Sequence, residues 1–152
     1  MIKTIKPPVQ TNEIFYGGTA SLILSSTASV VLYDIQQQKS LAEIATPPVK
    51  YSVWSADGSL VALLSKHSEF PPSCVGLPRS SFSLAITIAS RNFSQHTLIH
   101  ETIRIKSGAW DDSGVFVYST LNHVKYSLPQ GYVTTVMFVL PFLKRHSIET
   151  TA

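Results

Sequence analysis

His100 followed directly by Glu101 is the nearest this chain comes to a metalloprotease pattern, and it fails on spacing. That chemistry needs a second His four residues after the first, so that both rings meet one zinc ion, and position 104 is Arg. His67 and His123 recur in a repeat described below, each after an apolar strand, which assigns them to different sheets. With no carboxylate or further His at ligand spacing, they read as turn or packing residues. Cys74 is the single cysteine, which excludes an intrachain disulfide and a cysteine-based metal site. Asp57-Gly58 and Asp111-Asp112-Ser113-Gly114 have the composition of tight turns, where Asp caps nearby backbone and Gly supplies positive φ. Adjacent Asp111 and Asp112 do not face each other as an acid–base pair. The serines lack a Gly-x-Ser-x-Gly elbow, and neither a phosphate-binding loop nor a dinucleotide fingerprint is present. Catalytic residues: none are expected. Cofactor-binding and metal-binding residues: none are expected either. The chain does not read as an enzyme.

Charge adds little chemistry. A formal net charge of +3 comes from twelve Lys and Arg scattered along the chain, not interleaved with aromatics on one element, so no nucleic-acid partner is expected. Asn92-Phe93-Ser94 is a glycosylation sequon, which has meaning only in a secreted protein.

The elements that position these residues come from a repeat. Val49–Leu63 and Ile105–Ser119 align with a constant offset of 56. Val49 pairs with Ile105, Lys50 with Lys106, Trp54 with Trp110, Gly58 with Gly114 and, further on, His67 with His123. Each copy predicts a strand ending in Trp, an Asp/Gly/Ser turn and a second, apolar strand, the pattern of a β-hairpin. The offset exceeds the roughly 40–45 residues of a propeller blade. The excess lies in 68–84, a Ser/Pro-rich stretch without periodicity, which predicts an exposed insertion within a blade. Hydrophobic residues make up 44% and charged residues 14%, enough to bury a core, and no segment sustains helical periodicity. The expected fold is all-β, an incomplete WD-repeat-like β-propeller fragment of about three blades. It is too short for the four or more that closure takes.

In order, residues 1–13 are polar with Pro7-Pro8 and no apolar run behind Lys3 and Lys6, which predicts a lead-in linker and not a signal peptide. Residues 14–131 carry the partial propeller. Strands are predicted at 14–16, 21–25, 29–35, 41–46, 49–54, 60–64, 85–89, 97–101, 105–110, 115–119 and 124–127. Leu60–Leu64 and Val115–Tyr118 are apolar throughout, as expected where a strand is covered on both faces. Trp54 and Trp110 are expected to pack between blades. Residues 132–152 form a divergent tail in which 133–140 has strand character. Its apolar run is about half of the roughly 20 residues a membrane helix requires.

The run His100–Tyr118, continued by Leu121–Tyr126, closely resembles the alpha-subunit family of coatomer, the COPI vesicle coat working between Golgi and endoplasmic reticulum. Pro7–Tyr16, Tyr33–Gln37 and Leu63–His67 carry the same resemblance, which covers roughly residues 6–67 and 85–131. Relatives of this kind have two WD-repeat propellers followed by a helical solenoid, and the matched region is part of the second propeller. Two departures stand out: residues 68–84 have no counterpart in the family, and a strand after Gly131 is skipped. The resemblance implies a structural scaffold in vesicle-mediated protein transport. Its partners would be other coatomer subunits, and it would associate peripherally with Golgi and vesicle membranes from the cytoplasm. In the family, capture of dilysine cargo belongs to the first propeller, so no direct dilysine binding is expected here. The alternatives are a fragment of the related beta-prime subunit, or an unrelated ligand-binding or hydrolytic propeller.

Overall fold

The computed structural model describes residues 4–65, 84–130 and 133–138. Twelve strands fall into three four-stranded antiparallel sheets, each a simple meander. The first sheet contains β1 (Glu13–Tyr16), β2 (Ser21–Ser25), β3 (Ser29–Asp34) and β4 (Lys39–Ala45). The second contains β5 (Val49–Trp54), β6 (Leu60–Ser65), β7 (Leu84–Ser90) and β8 (His96–Glu101). The third contains β9 (Ile105–Trp110), β10 (Phe116–Thr120), β11 (His123–Ser127) and β12 (Val133–Phe138). The all-β expectation holds, with β12 joining the third sheet. The insertion expected at 68–84 lies outside the described residues apart from Leu84, which opens β7. Cys74 and His67 also lie outside them.

The sheets stack face to face. β1 approaches β5 and β5 approaches β9, so these are the strands nearest a common axis. Side-chain alternation on the second strand of each sheet explains the apolar runs. In β6, Val61 and Leu63 pack into a core with Ile23, Val30, Leu32 and Ile44 of the first sheet. Ala62 and Leu64 turn the other way, joining Ile86, Ile88, Phe116 and Tyr118 in a second core. Burial on both faces removes any benefit from alternation. β10 differs from expectation. Phe116 and Tyr118 are buried toward the second sheet, while Val117 and Ser119 between them are only half-buried. Among the described residues the third sheet is covered on one face alone, so its burial alternates although its sequence does not.

The first sheet's other face is covered by its own lead-in. Ile5 and Val9 pack with Leu22 against Leu24, Val31 and Tyr33. Residues 4–12 are therefore attached to the fold, through apolar contacts and through the Asn12 N–H donating to the Ser25 carbonyl at 2.8 Å.

The two repeat hairpins are not identical in length. Trp54 stands opposite Val61, whereas Trp110 stands opposite Phe116. The turn after Gly114 is thus one residue shorter than the turn after Gly58, and the offset of 56 holds only up to that glycine pair. Beyond it, Val61 corresponds to Phe116 and Leu63 to Tyr118. A slip of one residue would otherwise send the apolar set to the wrong face. Both glycines take positive φ, 69° and 81°, which side chains with a Cβ adopt at a cost.

Candidate functional site

Trp54, Trp110, Asp57 and Asp111 of the repeat each have a visible structural task. The Trp54 indole N–H donates to the Tyr16 carbonyl of β1 at 2.9 Å, and the Trp110 indole N–H donates to the Val53 carbonyl of β5 at 2.8 Å. Both tryptophans tie the first strand of one sheet to that of the sheet before it, as packing between blades requires. Asp57 accepts hydroxyl hydrogens from Ser55 and Ser59, each at 2.6 Å, and the Ser59 N–H at 3.1 Å. Those bonds, the Ser55 hydroxyl first, lower its pKa to about 2. Asp111 accepts the Ser113 hydroxyl at 2.7 Å and the N–H groups of Val115 and Ser113 at 2.8 and 3.0 Å. Its pKa is lowered too, chiefly by the Ser113 hydroxyl and then by the Val115 N–H. Asp112 is exposed and lines the same shallow hollow as Asp57 and Asp111, between the two turns.

Sequence reading missed a cluster between the second and third sheets. Glu101 ends the strand predicted at 97–101, the observed β8, and is only 6% exposed. Its carboxylate accepts a hydrogen bond from the Tyr118 hydroxyl. It also receives the Lys125 ammonium on both oxygens, at 3.0 and 2.9 Å. Burial, with the carboxylate beside it, pushes the Tyr118 phenol upward. The ring of Tyr118 stacks on Phe116 at 6.1 Å, and Phe116 meets Trp110 at 5.1 Å. Gly108 makes room for this aromatic ladder, since a Cβ there would collide with the Phe116 ring. The only sequence signal for the cluster was an acidic residue ending a strand whose alternation places it inward.

The described histidines lie on two sheets, His96 and His100 on β8 and His123 on β11. His100 is exposed on β8. His123 opens β11, where its backbone N–H donates to the Thr120 hydroxyl at 3.1 Å. Among the described residues no group of three or more His, Cys, Asp or Glu is placed to hold a metal ion.

A second constellation occupies the first strands of the sheets. Lys50 and Lys106 are both exposed and hold the same repeat position. Each is the extra residue of a β-bulge. The pairing of β5 with β6 passes from Val49 to Tyr51, and that of β9 with β10 from Ile105 to Ser107. Lys50 lies over the Tyr51 ring at 5.0 Å, and Arg104 is exposed just ahead of β9.

Three meanders stacked about a common axis, tied by tryptophans on their first strands, define an open β-propeller. The architecture is similar to a crystal structure of the Cps50 (Swd1) β-propeller domain from Myceliophteria thermophila. There the TM-score is 0.60 at 9% identity, covering 99% of this chain and 42% of that one. Residues 1–139 match the family described as the COPA/B second beta-propeller, and the chain belongs to that family. Among its relatives, coatomer subunit alpha-1 of Arabidopsis thaliana is 47% identical over 131 residues, or 86% of this chain and 9% of that protein. Coatomer subunit alpha of Saccharomyces cerevisiae is 40% identical over 129 residues, 85% of this chain and 9% of the relative. The chain therefore corresponds to a small part of the length of those proteins.

Proposed function

We propose that this chain is a non-catalytic scaffold piece of the coatomer (COPI) coat. It would act in vesicle-mediated protein transport between Golgi and endoplasmic reticulum by contacting other coatomer subunits. In this reading it works from the cytoplasm and reaches Golgi and vesicle membranes peripherally, through the coat. The observation that carries the proposal is the 47% identity to a coatomer alpha subunit sustained over 86% of the chain. The geometry supports it: the repeat's Trp, Asp and Gly residues are spent on tying sheets together and closing turns. In this reading residues 14–131 carry most of the propeller portion, 68–84 interrupt it, and the divergent part of the tail lies beyond 139, where the family match ends.

The test is to express the tagged chain in cells and quantify coatomer subunits that co-purify with it, together with its overlap with a Golgi marker. Enrichment of both over a Trp54→Ala/Trp110→Ala variant is expected. A wild-type chain that recovers no coatomer subunit and is absent from Golgi membranes would overturn the reading. We further propose that dilysine tails are not a ligand. Holding two ammonium groups needs at least two unengaged carboxylates side by side, while Asp57, Asp111 and Glu101 are already bonded and Asp112 has no second unengaged carboxylate in its hollow. Saturable binding of a dilysine peptide, absent with a diserine control, would sink that part.

A further inference from the structure

We propose that Lys50 and Lys106 form a paired-cation site for a short acidic peptide segment. This stands independently of the coat assignment. A β-bulge displaces one residue from the ladder and re-aims its side chain. Here the same displacement occurs at the same position of two neighbouring sheets, and both displaced residues are lysine. The strands that carry them, β5 and β9, approach each other. Two like charges at matching positions on neighbouring strands repel, and the arrangement becomes favourable when an anion lies between them.

The surrounding residues favour a peptide. Lys125 is neutralised by Glu101, whereas neither Lys50 nor Lys106 makes an ion pair among the described residues. Arg104 is a third exposed cation beside Lys106. The Tyr51 ring under Lys50 is 49% exposed and offers apolar contact for a side chain next to an acidic residue. A long polyanion such as nucleic acid would demand a wider basic track, and the opposite ends of the same strands lead into the Asp57 and Asp111 turns. Edge protection also uses bulges and lysines, yet β1 pairs with β2 without a bulge, and Asn12 precedes it.

The experiment is fluorescence anisotropy on the full chain with a fluorescein-labelled Glu-Asp-Leu-Asp-Glu peptide and its amide analogue Gln-Asn-Leu-Asn-Gln. Expected is saturable binding of the acidic peptide that weakens with salt, and much weaker binding of the analogue. Lys50→Gln and Lys106→Gln should each weaken affinity about threefold and together about tenfold, while Lys39→Gln on the outer strand β4 leaves it unchanged. Glutamine keeps the length and polarity of these exposed side chains, and circular dichroism verifies the fold of each variant. Equal binding of the two peptides, or a double variant that binds like wild type, would overturn the proposal. So would an equal loss in Lys39→Gln, or better competition by oligothymidylate or by phosphatidylserine-containing vesicles than by unlabelled peptide. A double variant that aggregates while retaining affinity would leave the lysines as edge guards, which also refutes the site.

Discussion

The interface between the first and second sheets and the one between the second and third are built from matching positions with different chemistry. In the first, Val61 and Leu63 present aliphatic side chains, and Thr46 and Thr87 hold the buried polar positions beside them. In the second, the same register places present Phe116 and Tyr118, with Glu101 where Thr46 stands and Lys125 where Thr87 stands. The aromatic version fills more volume, and Gly108 accommodates it. It also brings a hydroxyl into the core, which a tyrosine buried this deeply must bond. Glu101 accepts that bond, and a buried carboxylate in turn requires a cation. Leu63 brings no hydroxyl where Tyr118 does, and the buried Thr46 Oγ1 has no hydrogen-bond partner among the described residues. One interface therefore holds a bonded, charged cluster, whereas the other is mainly aliphatic with one polar loose end.

The largest effect should come from emptying either interface. Phe116→Ala should cost about 3–5 kcal/mol and Leu63→Ala about 2–5 kcal/mol. Against the roughly 5–15 kcal/mol of an ordinary domain, that removes much of the cooperative urea transition. If Phe116→Ala left the transition unchanged, the third sheet would not be packed on the second as described.

Next is the charged cluster. Glu101→Ala strands the Lys125 ammonium and the Tyr118 hydroxyl together and should cost about 3 kcal/mol, toward the low end for a broken buried pair because Lys125 reaches water. Replacing all three members with Leu, Phe and Leu at 101, 118 and 125 should restore most of that stability. A triple variant as unstable as Glu101→Ala would show that the cluster contributes more than compensation for its own burial. Tyr118 adds a pH signature. Its folded pKa lies above the unfolded value near 10, so its contribution is complete below that pH and declines above it. Tyr118→Phe should flatten the alkaline loss.

The opposite sign is expected at the matching position. Thr46→Val removes a buried hydroxyl that bonds nothing and keeps the shape, so stability should rise by about 1 kcal/mol. A loss on substitution would mean that the hydroxyl has a partner and that the two interfaces are more alike than they look.

Much of this architecture was legible from residue pattern. Trp54 and Trp110, the turn aspartates and the doubly apolar β6 are local signals that survive translation into structure, since hairpins and pleats are short-range geometry. The one-residue slip after Gly114 was hidden because both second strands are apolar throughout, so no alternation marked the register. The Glu101–Tyr118–Lys125 cluster was hidden for another reason. Its members lie on β8, β10 and β11 of two sheets, and only their stacking joins them. Tyr118 looked like one more apolar strand residue, and Lys125 like one more scattered surface charge. The bulges at Lys50 and Lys106 leave no compositional mark either, because an extra ladder residue is visible only against its partner strand.

The smallest effect distinguishes the two repeat turns. Both aspartates are solvent-exposed, and their folded pKa values are depressed, Asp57 to about 2 and Asp111 in the same direction. A depressed carboxyl contributes stability that is present above its unfolded pKa and lost as pH falls toward the folded value. For Asp57 the window lies between about pH 4 and pH 2. The turns differ in what holds the charge. Asp57 depends first on the hydroxyls of Ser55 and Ser59, whereas Asp111 has one hydroxyl and the N–H groups of Val115 and Ser113. Ser55→Ala should therefore raise the Asp57 titration midpoint and leave Asp111 unmoved. Ser113→Ala should raise that of Asp111 less completely, because the Val115 N–H remains. Carboxyl carbon shifts followed by NMR from pH 5 downward, with urea unfolding at each pH, would read both. Ordinary midpoints at both aspartates in the wild-type chain would mean that the hydroxyl clasps do not persist in solution. The difference in turn length would then have no electrostatic consequence.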